Sequence, residues 1–224
     1  MISISPMITG STIAQVWPKC LRAIVATGRL SGTVVDQRRD KIYEILGFRV
    51  EIENPLDNMI PALPREPGVT AWGWKSVLDD YYESEIIGTR PKPDGFAYVY
   101  ADWIKPMLPV IIDMLKSDPH TRRAVIQIGE HEDIILYDPP CLRLIQFLVR
   151  DNQLVMLTTW RSRDYAGAAA TNMYGMVRLQ EHVAGELGIP VGRYIDVSES
   201  AHIRIGKKGN KNDRGDLDWV EKVI

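Results

Sequence analysis

Cys141 is the side chain in this sequence with the clearest capacity for chemistry. It directly follows Asp138, Pro139 and Pro140 and begins an apolar run. Proline fixes the backbone dihedral φ, so two prolines in succession aim the side chain that comes next. A thiol is a good nucleophile only as the thiolate, which a nearby arginine favours. Although most isolated cysteines are buried and inert, this position predicts a nucleophile.

Arginines stand close together at three places where a helix or strand is expected to begin or end. These are Arg38 and Arg39, Arg122 and Arg123, and Arg161 and Arg163. The chain has 27 basic and 29 acidic residues and a net charge of −2, so the arginines are not part of a general basic surface. A guanidinium fork suits phosphate. The sequence therefore predicts a pocket for a small anion and disfavours nucleic acid as a partner.

Several common kinds of site are missing. The sequence has no GxxxxGK[ST] phosphate loop, no GxGxxG fingerprint and no GxSxG elbow. Its four histidines never recur three or four residues apart, which argues against a zinc site. Its two cysteines cannot build a disulfide framework, and it shows neither a signal-peptide pattern nor an apolar run long enough to span a bilayer. We expect a cytoplasmic protein with no bound metal and no membrane partner.

A hairpin is expected to bring Arg161 back beside Cys141. Apolar runs at 142–149 and 153–160 flank Asp151 and Asn152, a pair typical of a tight turn. Because Arg161 follows the second strand, it returns to the end of the sheet at which the first strand starts. There it could both stabilise a thiolate and bind phosphate.

The rest of the chain mixes helices and strands without regular alternation. Helices are predicted from Ser11 or Thr12 to Gly28 and over residues 76–87, 102–116 and 172–187. Further strands are predicted over residues 48–52, 124–128, 134–137, 193–198 and 202–205. No repeat or linker divides residues 1–224. We expect a single α+β domain with a mixed sheet covered by helices.

Taken in order, the chemical motifs resemble those of thymidylate synthase and the related pyrimidine nucleotide hydroxymethylases. The matching segments are Asp118 to Arg123, Pro139 to Cys141, Arg161 to Asp164, Asn172, and Ser200 to His202. Arg161 lies 20 residues after Cys141, and Asn172 lies 11 residues after Arg161, as in that family. The match is strong from about residue 118 to 205. The short chain, with Val-Asp-Gln-Arg ending at Arg38, is most similar to the short archaeal members.

The resemblance implies covalent catalysis. Cys141 matches the thiolate that adds to carbon 6 of the pyrimidine, after which carbon 5 can accept a one-carbon unit from a reduced pterin. Glu83 is the expected acid/base carboxylate, with Glu85 as the alternative. Tyr100 matches the active-site tyrosine of the family, with Tyr98 as the alternative.

The resemblance also assigns the phosphate site. The residues that match phosphate ligands are Arg161 and Ser162 and, reaching from the other subunit of a homodimer, Arg122 and Arg123. The sheets of that homodimer would pack back to back. Arg38 is the expected remaining phosphate arginine, with Arg39 as the alternative.

The base and sugar of the nucleotide have their own matching residues. Asn172 matches the amide that reads the uracil edge, since an amide can both donate to O4 and accept from N3–H; it could also cap the helix that starts there. Asp164 matches a residue near the pterin and the base, and His202 matches a contact to the sugar hydroxyl. Arg204 stands where a second sugar-contacting tyrosine is usual, which leaves deoxyribose or ribose open.

The expected reaction is methylation of dUMP to dTMP with 5,10-methylenetetrahydrofolate or methylenetetrahydromethanopterin. The alternative is hydroxymethylation of dUMP, CMP or dCMP by the same covalent route. Leu142 and Trp160 depart from the usual His and Gln of the family. A nucleotide or RNA binder without catalysis would instead use the basic residues Lys207, Lys208, Lys211 and Arg214.

Overall fold

A mixed β-sheet forms the centre of the computed structural model, which describes residues 7–36, 38–60, 71–136, 138–207 and 215–224. The strands are β1 (Met7–Gly10), β2 (Val34–Val35), β3 (Asp40–Ile52), β4 (Val125–Gln127), β5 (Leu142–Arg150), β6 (Gln153–Trp160), β7 (Arg163–Asp164) and β8 (Val191–Lys207). The strand order is β1-β3-β8-β6-β5-β4, with β2 paired to β3 and β7 paired to β8. The pairs β1–β3, β6–β8 and β7–β8 are parallel and the others are antiparallel.

Helices cover one face of this sheet and enclose the core. They are α1 (Ile13–Ser31), α2 (Ala71–Tyr81), α3 (Ala101–Ser117), α4 (Ala169–Leu187) and α5 (Leu217–Val223). A π-helical turn (Tyr82–Ile86) continues α2, and a 3₁₀ turn (His131–Ile135) follows β4. Most residues of α4 are buried, because α4 packs against the sheet and against α1, α2 and α3. The described residues thus form the expected α+β arrangement.

The predicted hairpin is confirmed, and its turn explains why it forms. Leu142 pairs with Trp160 and Arg150 pairs with Gln153. Asp151 and Asn152 between the strands have φ values of 51° and 57°. Aspartate and asparagine tolerate this left-handed conformation, which a two-residue hairpin turn requires. Arg161 consequently lies beside Cys141, and its backbone N–H donates to the Cys141 carbonyl over 2.8 Å.

Several predicted boundaries were wrong. Helix α1 runs past Gly28 to Ser31, because Gly28 lies in a close contact with the sheet and does not end the helix. Helix α4 begins three residues before Asn172, which is therefore inside the helix and not its cap. The strands predicted at 193–198 and 202–205 are one continuous strand, β8.

The strand predicted at 134–137 was also wrong: the 3₁₀ turn covers its first two residues, Leu136 is not in a strand, and Tyr137 lies outside the described residues. The side chain of Asp133 accepts from the Glu130 backbone N–H over 2.7 Å. A side chain that accepts from the backbone N–H at the start of a turn in this way favours a helical turn. Lys208, Lys211 and Arg214 lie outside the described residues. In the part of the chain that the structure describes, we find no helix with the length and apolar character that a membrane crossing requires.

Replacing Gly28 with alanine should destabilise the fold. A Cβ atom at Gly28 would lie 2.1 Å from Cβ of Tyr43 on β3, so α1 would have to move off the sheet. Overpacking of this kind typically costs about 1–3 kcal/mol. Gly185→Ala in α4 is the matched control, since a Cβ there meets no heavy atom within 4 Å. We expect Gly185→Ala to raise the free energy of unfolding by about 0.5–1 kcal/mol in urea denaturation. Equal effects of the two variants would contradict this packing.

Candidate active site

A cavity of about 700 Å³ lies at the end of the sheet where β6 finishes and β5 begins. The residues of the predicted site that line it are Arg38, Tyr100, Cys141, Arg161, Ser162, Asp164, Asn172, His202 and Arg204. Glu83, Arg122 and Arg123 are not among the lining residues. Segments that are far apart in the sequence therefore meet at one concave surface, as expected of a ligand site.

Cys141 lies in the cavity wall and is partly buried. Burial raises the pKa of its thiol, and the Asp138 carboxylate acts in the same direction. The Arg161 guanidinium opposes this, with smaller help from Arg38 and Arg163. The arginine acts in the expected direction, but loss of water around the sulfur is the larger effect, and the resulting pKa is above its ordinary value. Full thiolate character thus requires a further stabilising interaction.

Arg161 holds the segment that leads into Cys141. Its Nε donates to the Pro140 carbonyl over 3.1 Å and its Nη2 donates to the Pro139 carbonyl over 2.6 Å. The two prolines cannot donate backbone hydrogen bonds, but their carbonyl oxygens can accept. Arg161 thus fixes the approach to the nucleophile while its guanidinium stays at the cavity.

Asp138 joins two of the predicted phosphate arginines. Its Oδ2 accepts from Arg38 Nη2 over 2.5 Å, and its Oδ1 lies 3.5 Å from Arg161 Nη2. Arg39 is exposed, has a φ of 64° and does not line the cavity. The structure therefore places Arg38, and not Arg39, beside Arg161.

A buried ion pair lies beneath the cavity. Arg163 donates through Nη1 to Asp196 of β8 and through Nη2 to the Ala169 carbonyl over 3.0 Å. Tyr194 donates to the same Asp196 oxygen over 3.0 Å, and the Arg163 guanidinium lies 4.4 Å from the centre of the Trp160 ring. Its carboxylate partner raises the pKa of Arg163 despite burial. Sequence reasoning did not assign this pair; the available signal was an aspartate directly between the apolar residues Ile195 and Val197.

Asp164 shapes the loop that leads into α4. Its Oδ1 accepts from the backbone N–H groups of Ala166 and Gly167 over 3.0 and 2.8 Å. A Cβ atom at residue 167 would lie 2.4 Å from Asp164 Oδ2, so a larger residue there would displace the Asp164 carboxylate. Asp164 consequently faces the cavity with one oxygen already engaged by the backbone.

Asn172 reaches the cavity from the first turn of α4 and is only 7% exposed. Its Nδ2 donates to the hydroxyl of Tyr81 over 2.7 Å. One N–H and the carbonyl oxygen of the amide remain available to a ligand. Tyr81 also lines the cavity, and sequence reasoning missed it.

The structure brings Glu85, and not Glu83, to the cavity. Glu83 forms an ion pair with Arg90, away from the lining residues. Burial raises the pKa of Glu85 to about 7, with a smaller contribution from the Asp80 charge. A carboxyl group with such a pKa can both donate and accept a proton near neutral pH. The expectation that Glu83 faces the site is therefore corrected, since its alternative Glu85 is the glutamate of this pair that lines the cavity.

Tyr100 lies in the cavity with its ring edge-on to Trp160, at a centroid distance of 5.8 Å. Burial raises the pKa of its hydroxyl well above the ordinary value. Tyr98 instead donates to the Asp138 carbonyl over 3.3 Å. Tyr98, Tyr100 and Phe96 line an adjoining depression of about 400 Å³.

Alternating residues of β8 form the far wall. Ser200, His202 and Arg204 line the cavity, opposite Glu44 of β3, which accepts from the Ser200 hydroxyl over 2.5 Å. His202 Nδ1 is buried and makes no hydrogen bond within the described residues. Arg204 Nε lies 3.8 Å from an Asp216 oxygen.

Arg122 and Arg123 are exposed and lie just before β4. Arg123 Nε donates to the Thr121 hydroxyl over 3.4 Å, and the Arg122 carbonyl accepts from Gln146 over 2.9 Å. Their predicted role requires a second subunit and stays a prediction. Within the described residues, no group of three or more His, Cys, Asp or Glu side chains is arranged to hold a metal ion.

Comparison with known proteins gave one consistent result. Residues 102–207 match the sequence model of a family described as thymidylate synthase. A Methanosarcina mazei protein named "Putative thymidylate synthase" is 31% identical over 230 residues, which cover 99% of this chain and 95% of that protein. Proteins of the same name from Methanothermobacter marburgensis and Methanocaldococcus jannaschii are 31% and 25% identical, over 85% and 95% of this chain and 89% and 93% of their own lengths.

The raised pKa of Glu85 predicts a pH-dependent change in stability. Between about pH 4.5 and 7 the folded state keeps a proton that the unfolded chain loses, so this carboxyl group lowers stability as the pH rises through that range. Glu85→Gln removes the effect. We expect the melting temperature of Glu85→Gln, relative to the unmodified protein, to rise between pH 4.5 and 7 in calorimetry. Glu83→Gln is the control and should show no such rise; the same rise in both would contradict the assignment.

Proposed function

Because the chain belongs to the thymidylate synthase family of one-carbon transferases, we propose that it methylates dUMP at carbon 5 to give dTMP. The observation that carries the proposal is the single cavity shared by Cys141, Arg161 and Asn172. These residues supply a nucleophile, a phosphate ligand and an amide able to read a pyrimidine edge.

Cys141 is the proposed nucleophile. Its sulfur forms a bond to carbon 6 of the base, and the electron pair of the C5–C6 double bond moves to carbon 5. Carbon 5 can then bond to the incoming one-carbon unit. Loss of the carbon-5 proton, with cleavage of the bond between the one-carbon unit and the donor nitrogen, leaves an exocyclic methylene group on carbon 5. Addition of a hydride to that methylene carbon and departure of the Cys141 sulfur from carbon 6 then restore the C5–C6 double bond and leave a methyl group. Glu85, whose pKa is about 7, is the proposed acid/base group for these proton transfers.

The phosphate of the nucleotide is proposed to lie between Arg38 and Arg161, with Ser162 alongside. Asp138 already holds these two guanidinium groups on the same side of the cavity. Planar guanidinium groups bind phosphate through paired N–H donors. A phosphate there would add negative charge near Cys141, and the positive charges of Arg38 and Arg161 would offset it.

The methylene-pterin co-substrate is proposed to enter from the adjoining depression. Its lining residues Phe96, Tyr98 and Tyr100 present aromatic surface, which suits a flat ring system. When bound, this donor supplies the one-carbon unit and, for methylation, a hydride. Both 5,10-methylenetetrahydrofolate and methylenetetrahydromethanopterin carry the required ring.

A homodimer is also proposed, through the sheet face that the helices do not cover. Its side chains alternate with core residues along β5, β6 and β8, and the apolar ones that are still partly exposed include Leu144, Leu148, Leu157 and Val197. A second copy would remove this face from water. The same packing would supply Arg122 and Arg123 to the partner's phosphate site. Sedimentation of the purified protein tests this.

Hydroxymethylation is the second candidate, because the cavity wall is hydrophilic. Asp36, Asp40 and Glu44 line it beside β8. Carboxylates retain water, and water in place of hydride would leave a hydroxymethyl group on carbon 5.

Product mass distinguishes these reactions. The protein is incubated with dUMP, dCMP, UMP or CMP and either methylene donor, and the nucleotides are analysed by mass spectrometry. We expect a methyl group on dUMP. Cys141→Ala should abolish the product while dUMP still binds, whereas Cys20→Ala, which removes the buried thiol of α1, should keep the activity. Turnover by Cys141→Ala would overturn the covalent mechanism.

Asn172→Asp should shift the base preference from uracil to cytosine. A carboxylate cannot donate to O4 of uracil, but it can accept from the exocyclic amine of cytosine. We expect kcat/KM for dUMP to fall by roughly 10- to 100-fold, as one unpaired polar contact predicts. The ratio of binding constants for dUMP and dCMP measures the shift, and an unchanged ratio would mean that Asn172 does not read the base.

A further inference from the structure

Tyr81 contacts the amide of Asn172 inside the cavity. Asn172 Nδ2 donates to Tyr81 Oη over 2.7 Å, and both residues line the cavity. Because Asn172 is 7% exposed, little water can replace this contact. Tyr81 is therefore the partner that orients the amide relative to the cavity.

The Tyr81 ring is held in place by α4. A Cβ atom at Gly175 would lie 2.7 Å from Cε1 of the ring. The ring therefore packs in a notch on α4 that is open because residue 175 is glycine. The end of α2 is in turn tied to α4, since Tyr174 donates to Asp79. Because the ring cannot move freely, its hydroxyl oxygen stays in one position as the acceptor for the Asn172 amide.

The Tyr81 hydroxyl also keeps its proton. Burial raises its pKa far above the ordinary value, and the Glu85 charge acts in the same direction. A neutral phenol can accept from Asn172 and still donate one hydrogen bond. The contact is therefore available across the physiological pH range.

We propose that Tyr81 is a positioning residue that holds the Asn172 amide against the edge of the pyrimidine base. The inference rests on the proposed function, because it requires that Asn172 contacts the base. Without the hydroxyl, a buried N–H loses its acceptor and the amide can rotate away from the base. The sugar and phosphate contacts of the nucleotide lie on other elements and are unaffected.

Tyr81→Phe is the test, because it removes the hydroxyl and keeps the ring in the Gly175 notch. Binding is measured by calorimetry in the Cys141→Ala background, so that no covalent adduct forms. We expect the Kd for dUMP to rise about 10-fold. The Kd for deoxyribose 5-phosphate, which has no base, should not change. Tyr82→Phe is the matched control; its ring packs against the Arg178 guanidinium, 5.1 Å away, outside the cavity lining.

Two further variants separate positioning from folding. In an Asn172→Ala background, Tyr81→Phe should add almost nothing to the loss of dUMP binding, as expected for residues that act through each other. Gly175→Ala, which pushes on the Tyr81 ring and on Ile86, should weaken dUMP binding as Tyr81→Phe does, but its overpacking should also lower the melting temperature, which Tyr81→Phe should not.

The other possible results would each contradict the positioning role of Tyr81. Equal losses for dUMP and deoxyribose 5-phosphate would show a structural role and overturn the inference. An unchanged Kd for dUMP would overturn it while leaving the proposed function intact. Failure of the parent Cys141→Ala protein to bind any of the four nucleotides would instead overturn the proposed function and the inference with it.

Discussion

The buried ion pair between Arg163 and Asp196 is the constraint on which the cavity depends. Both side chains are almost inaccessible to water, so each charge requires the other. Removing one partner from such a pair typically costs about 3–5 kcal/mol. The pair joins the segment after β6 to the middle of β8. Arg163 lines the cavity together with its neighbours Ser162 and Asp164, so the ion pair fixes the segment that carries all three.

Sequence patterns were most informative where chemistry and local geometry agree. The Asp151-Asn152 turn fixes the register of the hairpin, and that register alone brings Arg161 to Cys141. The thiol environment was harder to foresee. Proximity to arginine is visible in the sequence, but burial is not, and burial has the larger effect on the Cys141 pKa. The ion pair beneath the site was hidden for the same reason, since its two residues are 33 positions apart.

The sequence could not show which of Glu83 and Glu85 faces the cavity, because both lie in a π-helical turn. Ordinary helical periodicity gives no reason to prefer Glu85 to Glu83, and a π turn has no recognisable sequence pattern. Tyr81 at the end of α2 and Glu85 in this turn both line the cavity. Such turns occur often at functional sites. Here the Tyr81 hydroxyl and the Glu85 carboxyl lie on the same wall of the cavity.

Asp138 has a consequence for how an anion would enter. Two guanidinium groups on one side of a cavity repel each other, and Asp138 acts as an internal counter-ion that keeps Arg38 and Arg161 together. Their repulsion is therefore neutralised during folding. An anion that binds between Arg38 and Arg161 replaces Asp138 as their negatively charged partner. The two side chains are already ordered before the anion binds, so binding does not include the entropy cost of ordering them.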